Sequence, residues 1–331
     1  MGEMQKKKQI SITKLAEHCG CSPATVSRVF NGKTPVNPEK RDRILRAAER
    51  FHYMPNLKAQ RNTVALVISN QQDITPPSWF ASNMVTALLP ALSEHGYRAT
   101  LCRIADVGKL NPKEIVAGML IDWATSTSQL KLLSRLRFPF VCINLFLPGF
   151  NTVCVDHAGQ MLTAVRYLLR AGHKRIVYIE PVGNNWASPE RRRGALRAFE
   201  EAGLPYEDNF TAVYDPDMSL NREKFSRMLT ERKPTAVICL HEDWILTLHQ
   251  MLVDLGYRIG EDISLMTGEL AGITDALTPG ITAVKQDLDE LAEAALRMIE
   301  TLENNPPLMG GITHYTAPCR IVERNSVRKI L

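Results

Sequence analysis

The 331-residue sequence contains no apolar run that approaches the roughly eighteen residues needed to cross a membrane. Its N-terminal residues include Lys6, Lys7 and Lys8 but lack the apolar core of a secretory signal. We therefore expect a cytoplasmic protein with no membrane partner. The seven cysteines, an odd number spread from Cys19 to Cys319, fit reduced thiols better than a disulfide framework.

Sequence motifs for metal sites and common enzymes are also absent. Cys19 and Cys21 have no second Cys or His cluster nearby, so we interpret them as small buried residues that close a turn rather than as zinc ligands. There is no phosphate-binding P-loop, Gly-rich dinucleotide turn, nucleophile elbow or His-Glu-x-x-His sequence. We predict no metal, no cofactor and no catalytic residue. An enzyme is the weaker alternative, because only the fold would support it.

Positive charge is distributed unevenly along the chain. Residues 1–63 hold 13 lysines and arginines against 5 acidic residues, whereas the remaining 268 residues hold 27 against 30. A short basic segment on a mildly acidic body is typical of a nucleic-acid-binding domain, although a solvated basic tail has the same composition. Charge alone leaves both interpretations open.

Capping residues and apolar spacing predict three short helices in this basic segment. Ser11 is the candidate cap of the first helix, and Ser22-Pro23 begins the second, because proline is tolerated where the amide has no helical partner. Asn37-Pro38 begins a third helix whose apolar residues, between positions 44 and 51, share one face. Two helices joined by a tight turn and closed by a third form a helix-turn-helix unit.

In such a unit the second helix lies in the major groove of DNA, so its exposed side chains face bases and phosphates. Arg28 is the candidate base-contacting residue, because a guanidinium can donate hydrogen bonds to guanine O6 and N7 at the same time. A surface ion pair is the alternative for Arg28. Thr25, Ser27 and the helix N-terminus suit phosphates. The candidate DNA-binding residues are Ser11, Ser22, Pro23, Ala24, Thr25, Ser27, Arg28, Asn31, Asn56, Lys58 and Arg61.

A resemblance to a known family follows from these residues. The segment SPATVSRVFNG at 22–32, followed by Ala47-Ala48 and YMPN at 53–56, resembles the DNA-binding signature of the lactose-repressor/galactose-repressor family. The resemblance implies an N-terminal three-helix helix-turn-helix domain over residues 1–55, a hinge or linker over 56–63 and a ligand-sensing, dimerising core over 64–331. It also implies double-stranded operator DNA as a partner.

The linker departs from the family pattern. After Asn56, family members carry a short hinge helix that ends with a leucine inserted into the minor groove. Here residues 57–63 lead almost at once into an apolar run, and the expected leucine is missing. We predict a basic tether that contacts phosphates through Lys58 and Arg61, and DNA that is bent less because the wedge is absent. The alternative is that Leu57 replaces the missing leucine.

Apolar runs alternate with amphipathic stretches through the rest of the chain, which is the pattern of parallel α/β sheets. The runs are Val64–Ile68, Ala99–Ile104, Gly118–Ile121, Phe140–Ile143, Thr152–Val155, Arg175–Ile179, Ala236–Leu240 and Ile263–Met266. This segment is large for one sheet, so we predict two lobes separated by a cleft. Ligands of such sheets bind beyond the C-terminal ends of the strands.

Further motifs in this region are similar to those of the same family. They are GY at 96–97, GHKRI at 172–176, Arg191 three residues before Gly194, PTA at 234–236, EDIS at 261–264, Thr282 with VKQ at 284–286, and RNS at 324–326. The resemblance implies a two-lobed α/β core of the periplasmic-binding-protein-like type, with parallel sheets, and a homodimer.

The strand ends and the resemblance together indicate an effector site in the cleft. Its candidate residues are Trp79, Phe80, Asp122, Arg191, Glu242 and Gln286. An aromatic face, an arginine and a carboxylate suit a polar, sugar-like small molecule, whose ring stacks and whose hydroxyls form paired bonds.

This site also departs from the family pattern. Sugar-binding relatives carry Asn-Asp where this chain has His241-Glu242, and Gly-aromatic-Asp where it has Thr267-Gly268-Glu269. We therefore expect a pocket that is tighter or differently aimed, or a cleft that has lost its ligand. The structural alternatives are lobe packing for Trp79 and Phe80, an exposed basic run for Arg191 and an inert loop for His241-Glu242. We interpret Asp156, which follows a strand, as a helix cap or a strand-end turn rather than as a ligand contact.

The sequence therefore predicts a homodimeric, sequence-specific DNA-binding regulator, and repressors are the commoner kind in this family. Its operator binding would respond to a small polar ligand between the lobes, because ligand binding favours one closure state. A regulator with a vestigial cleft is the alternative. A transport-type binding protein would need a signal peptide and no helix-turn-helix, and the sequence has the reverse.

Overall fold

A computed structural model describes most of the chain. The described residues are 10–31, 36–51, 53, 62–68, 79–121, 138–146, 149–180, 187–214, 222–304 and 314–330. Backbone contacts divide the chain into two compact units, Met1–Asn62 and Thr63–Leu331. We refer to the first unit as the head and to the second as the core.

The head contains three helices, as the sequence predicts. They are α1 (Ile12–His18), α2 (Pro23–Asn31) and α3 (Pro38–Arg50). The predicted caps are confirmed: the Ser11 side chain accepts a hydrogen bond from the Lys14 amide, and Asn37 accepts from the amides of residues 39 and 40. Ser22 accepts from the Thr25 amide at 3.2 Å. Each cap satisfies amides that the first helical turn leaves without partners.

A small apolar cluster holds these helices together. Leu15, Val26 and Ile44, one from each helix, are fully buried at its centre. Cys19 is buried beside them, and the Cys21 amide donates to the Ala16 carbonyl at 3.0 Å across the α1–α2 turn. The interpretation as a small buried residue at this turn is confirmed for Cys19, whereas Cys21 is only half-buried.

The core contains two six-stranded sheets. The strands are β1 (Thr63–Ile68), β2 (Arg98–Arg103), β3 (Ile115–Ile121), β4 (Phe140–Ile143), β5 (Asn151–Val155), β6 (Ile176–Glu180), β7 (Phe210–Tyr214), β8 (Ala236–Cys239), β9 (Ser264–Gly268), β10 (Thr282–Gln286), β11 (His314–Ala317) and β12 (Cys319–Val322). The first sheet has the order β11-β5-β4-β3-β1-β2 and the second β12-β10-β9-β8-β6-β7. All pairings are parallel except β10 with β12.

Helices cover these sheets and build one lobe around each. They are α4 (Trp79–Glu94), α5 (His157–Arg170), α6 (Ala187–Glu201), α7 (Tyr206–Asn209), α8 (Arg222–Arg232), α9 (Ile245–Asp254) and α10 (Leu288–Asn304). Lobe 1 contains the first sheet and lobe 2 the second. Within the described ranges, no helix combines the length and the apolar character that a bilayer crossing requires.

The two lobes are not consecutive in sequence, because the chain passes between their sheets three times. It leaves lobe 1 after β5, returns through α10 and β11, and ends in lobe 2 with β12. Multiple crossings of this kind allow the lobes to move as two bodies about a few connecting residues. The predicted two-lobed α/β core with parallel sheets is confirmed.

Eight strands coincide, within a few residues, with the apolar runs of the sequence. The pattern did not identify β7, β10, β11 and β12. Three of these, β7, β11 and β12, are edge strands in which polar residues interrupt the apolar ones, as in FTAVY, HYTA and CRIV. β10 is internal, but it ends in the polar residues Lys285 and Gln286.

Candidate functional site

The exposed surface of α2 carries the residues that the sequence proposes for DNA. Pro23, Ala24 and Arg28 are exposed, Thr25 and Ser27 are half-buried, and Val26 is fully buried against the head core. Arg28 forms no ion pair with any residue that the structure describes, so its guanidinium is available on the outer face of the helix. This arrangement is the one that a recognition helix requires.

Other candidate DNA residues have structural duties or lie outside the described ranges. Ser11 and Ser22 cap their helices, and Asn31 is the last residue of α2. Asn56, Lys58 and Arg61, together with Leu57, lie outside the described residues. The predictions for the tether therefore stay predictions.

A cleft between the lobes brings together four of the six candidate effector residues. Trp79 and Phe80 begin α4 on lobe 1, and Glu242 and Gln286 follow β8 and end β10 on lobe 2. The cleft encloses about 320 Å³, part of it open to solvent. Its lining is completed by Asn83, Glu269, Leu270 and Leu288. The fifth candidate, Asp122, is not among the described residues.

The two aromatic residues of the cleft differ in how much of each is exposed to solvent. Trp79 is 42% exposed, whereas Phe80 is half-buried and packs on the apolar core of lobe 1. The Trp79 carbonyl accepts a hydrogen bond from Asn83 Nδ2 at 2.9 Å, one turn further along α4. An exposed indole beside a polar cleft can stack on the face of a ligand ring.

Glu242 and Gln286 form the polar side of the cleft. Gln286 Nε2 donates to Glu242 Oε1 at 3.3 Å, and Gln286 Oε1 is buried without a hydrogen-bond partner among the described residues. Gly268, at the end of β9, leaves the space beside this carboxylate. The two side chains thus present mainly acceptor atoms.

Arg191, the sixth candidate, is buried next to this polar side. It is only 6% exposed, so the alternative of an exposed basic run is wrong. Its Nη1 atom donates to Glu180 Oε1 at 3.2 Å and to Tyr178 Oη at 3.3 Å. Its Nε atom has no hydrogen-bond partner in the part of the chain that the structure describes. Arg191 is absent from the cleft lining, but it interacts electrostatically with Glu242, which is present there.

Helix packing determines where Arg191 lies. Gly194, three residues later on α6, contacts the start of α5 so closely that a β-carbon there would overlap the Ala158 carbonyl oxygen. Burial alone would lower the pKa of Arg191, but the neighbouring Tyr178, Glu180 and Glu242 raise it by more than burial lowers it. The guanidinium therefore stays charged.

Two histidines beside this guanidinium are neutral. Burial, followed by the charge of Arg191, lowers the pKa of His157 well below its ordinary value and that of His241 to about 4. Asp156 accepts from the Gly159 amide at 2.8 Å and is the N-cap of α5, as the sequence predicts.

Glu269 lines the cleft, but its carboxylate oxygens are hydrogen-bonded to other side chains of lobe 2. Arg324 Nη2 and Nη1 donate to its two carboxylate oxygens at 2.6 and 2.8 Å, and Thr274 donates to Oε2 at 2.9 Å. Burial raises the pKa of Glu269, but the bonds from Arg324 and Thr274 lower it by more. No cluster of metal-ligating side chains occurs within the described residues.

Comparisons with known proteins agree with both units. The family model "Bacterial regulatory proteins, lacI family" matches residues 11–56, and the model "Periplasmic binding protein-like domain" matches residues 165–327. Together they account for more than half of the chain. The chain belongs to the lacI family of bacterial regulatory proteins. It is accordingly a DNA-binding transcription regulator, and the resemblance drawn from its sequence is confirmed.

Relatives of this lacI-family chain are similar over nearly its full length. It is 27% identical to the HTH-type transcriptional regulator GalR of Escherichia coli strain K12, over 96% of this chain and 95% of that protein. A lac repressor dimer bound to operator and the anti-inducer ONPF matches with a TM-score of 0.78 at 19% identity, over 97% of this chain and 100% of the other. A complex of the regulator CelR with cellobiose matches with a TM-score of 0.68 at 23% identity, over 96% and 100%. At these identities the structural matches establish the fold.

Proposed function

We propose that this lacI-family regulator is a homodimeric repressor whose operator binding is controlled by a small, polar, sugar-like ligand held between the two lobes. It works in the cytoplasm and acts by binding rather than by catalysis. The observation that carries the proposal is the cleft, where the aromatic residues Trp79 and Phe80 of lobe 1 face Glu242 and Gln286 of lobe 2.

Both walls of the cleft match what a polyhydroxylated ligand needs. An exposed indole stacks on a sugar ring, and the carboxylate and the amide oxygen accept hydrogen bonds from hydroxyl groups. A relative supports the same ligand class, since the structure of CelR that matches this chain is a complex with cellobiose. A ligand that contacts both lobes favours their closed arrangement, and this preference is the source of coupling to DNA.

The operator is expected to be a pseudo-palindrome, because two identical heads related by a two-fold axis read two half-sites. Apolar side chains in lobe 1 fit a partner subunit. Leu89 on α4 and Leu101 on the edge strand β2 are 48% and 57% exposed. Contact with a second copy would bury them.

A selection experiment tests this function. The natural chain is used to enrich DNA from a random library, and the enriched site is then titrated by fluorescence anisotropy with and without each member of a panel of sugars, amino sugars, uronates, sugar phosphates and nucleosides. We expect one pseudo-palindromic operator and at least one compound that changes its Kd by about tenfold or more. Failure to enrich any sequence would contradict the DNA function. An operator that no compound affects would favour a regulator with a vestigial cleft.

A further inference from the structure

The sequence pattern did not single out Glu180, which is the last residue of β6 and is 1% exposed. Its carboxylate accepts the hydrogen bond from Arg191 Nη1, and the two side chains form a buried ion pair. A buried carboxylate stays charged only with a partner, because it has lost the stabilisation of water. Glu180 therefore depends on Arg191, and its negative charge offsets the positive charge of Arg191.

This pairing determines the charge beside the cleft. Arg191 and Glu180 cancel, as do Arg324 and Glu269, whose side chains are 17% and 11% exposed. Glu242 lies close enough to Arg191 to interact with it electrostatically, and the nearby histidines at 157 and 241 are neutral. Neither arginine therefore leaves its positive charge uncompensated beside the cleft.

The described side chains that line the cleft include acidic residues but no basic ones. The acidic residues are two glutamates, and neither lysine nor arginine is among the described lining residues. Gln286 Oε1 is a buried acceptor that meets no donor in the described part of the chain. A bound molecule would have to supply a donor to this oxygen atom, because a buried acceptor left unsatisfied costs free energy.

We propose that Glu180 is a specificity-determining residue: by neutralising the positive charge of Arg191 it makes the cleft accept ligands without negative charge, which offer O–H or N–H donors to Glu242 and Gln286. This inference rests on the proposed function, since it names the ligand class of the same site. An arginine without a carboxylate partner would instead bind a carboxylate or a phosphate through paired hydrogen bonds. Neutral and amine-bearing sugars therefore fit the site, and uronates and sugar phosphates do not.

Calorimetry on the full natural chain with charge-matched probes tests this inference. The probes are glucose, glucosamine, glucuronate and glucose 6-phosphate, the corresponding galactose series, and ribose with ribose 5-phosphate. Within any series that binds, the neutral or amine form should bind at least about tenfold more tightly than the carboxylate or the phosphate. A tenfold difference is what one additional negative charge on the ligand should cost when solvent partly screens its repulsion by the site.

A Glu180→Gln variant makes the second arm of the experiment. The amide keeps the shape of the side chain but removes its charge, so the preference for uncharged over anionic probes should fall by about tenfold. Glu201→Gln is the matched control, because Glu201 pairs with Arg166 on the exposed surface of the same lobe and should leave the preference unchanged. Circular dichroism checks that both variants fold.

The outcomes are distinguishable. If the natural chain binds an anionic probe more tightly than its neutral parent, the inference is wrong and the proposed ligand-sensing function stands. An unchanged preference in a folded Glu180→Gln variant also contradicts the inference. If Glu180→Gln does not fold, the charge-matched series on the natural chain decides alone. If no probe binds, ligand sensing and the inference both fail.

Discussion

A β-carbon on Gly268 would lie 2.8 Å from the Oε1 atom of Glu242, so the end of β9 and the first residue after His241 share one small space. The resemblance to sugar-binding relatives places an aromatic residue where Gly268 stands and a shorter Asp where Glu242 stands. The two departures are complementary, because the missing side chain accommodates the longer carboxylate.

Gly268→Ala tests this relationship. The added methyl group should push the Glu242 carboxylate aside and weaken binding of any responsive ligand by about tenfold, while the unfolding free energy changes by less than about 2 kcal/mol because the end of a flexible side chain can move. Calorimetry and urea unfolding measure the two effects. Gly108→Ala is the control, since a β-carbon at that glycine would have nothing within 4 Å of it. Equal ligand affinity in both variants would contradict the prediction.

Arg28→Ala should weaken specific DNA binding by about 1–3 kcal/mol and relax the preference at one base position. The physical reason is the loss of a paired hydrogen bond to a base edge by an exposed guanidinium on α2. Anisotropy titrations on the selected operator and on random DNA provide the measurement. Arg46→Ala removes the same charge from the exposed side of α3 and should weaken both DNAs alike. The same uniform loss in Arg28→Ala would identify Arg28 as a phosphate contact.

Replacing both Lys58 and Arg61 by Ala should reduce the slope of log K against log salt concentration by about 2, because each contact with phosphate releases about one counterion. Specificity between operator and random DNA should stay constant. An unaltered slope would show that the tether does not touch phosphate.

Bending of the same operator, measured by FRET, shows whether the linker acts as a tether or as a wedge in the minor groove. A sharp kink that disappears in Leu57→Ala would make Leu57 the wedge.

Arg324→Met should destabilise the core by about 2 kcal/mol at neutral pH, since it leaves the largely covered Glu269 carboxylate without its cation, a loss between that of an exposed pair and that of a fully buried one. The pKa of Glu269 is lower in the folded protein than its ordinary value of 4.5. Its contribution is therefore complete above that value and is lost as the pH falls through the lowered pKa. Urea unfolding between neutral and acid pH should show a shallower acid dependence in Arg324→Met than in the natural chain.

Arg197→Met is the control for this pH series. Arg197 pairs with Glu201 on the surface, where the two side chains are 65% and 38% exposed. An exposed pair contributes less than about 1 kcal/mol, so this variant should keep the acid dependence of the natural chain. The same change of slope in both variants would mean that Glu269 is not the group responsible.

Much of this molecule could be predicted from local signals. Caps such as Ser11 and Asn37 act on amides within the next few residues, and the buried parallel strands are short apolar runs, so both are visible in sequence. Arg191 could also be proposed, because it stands at a fixed distance from Gly194 in the family motif.

The partners of these residues could not be predicted in the same way. Glu180 acquires its role from Arg191 eleven positions later, on a helix that packs against the strand, and a strand with the sequence IVYIE gives no sign of this contact. Glu269 is likewise explained by Arg324, which lies 55 positions further along the chain. Side-chain pairing across elements depends on tertiary packing and leaves no periodic signal.

The most direct test of the account is the response of operator binding to ligand in a Glu242→Ala variant. Arg191→Ala is less suitable, because it strands the buried Glu180 carboxylate at a cost of about 3–5 kcal/mol. Glu207→Ala is the control, a largely exposed carboxylate in the same lobe. Anisotropy titrations with the selected operator and a responsive compound should show apo affinity within about twofold of the natural chain in both variants, and a ligand response shifted by about tenfold or more in Glu242→Ala alone. A full ligand response in folded Glu242→Ala would contradict control of the operator through this cleft.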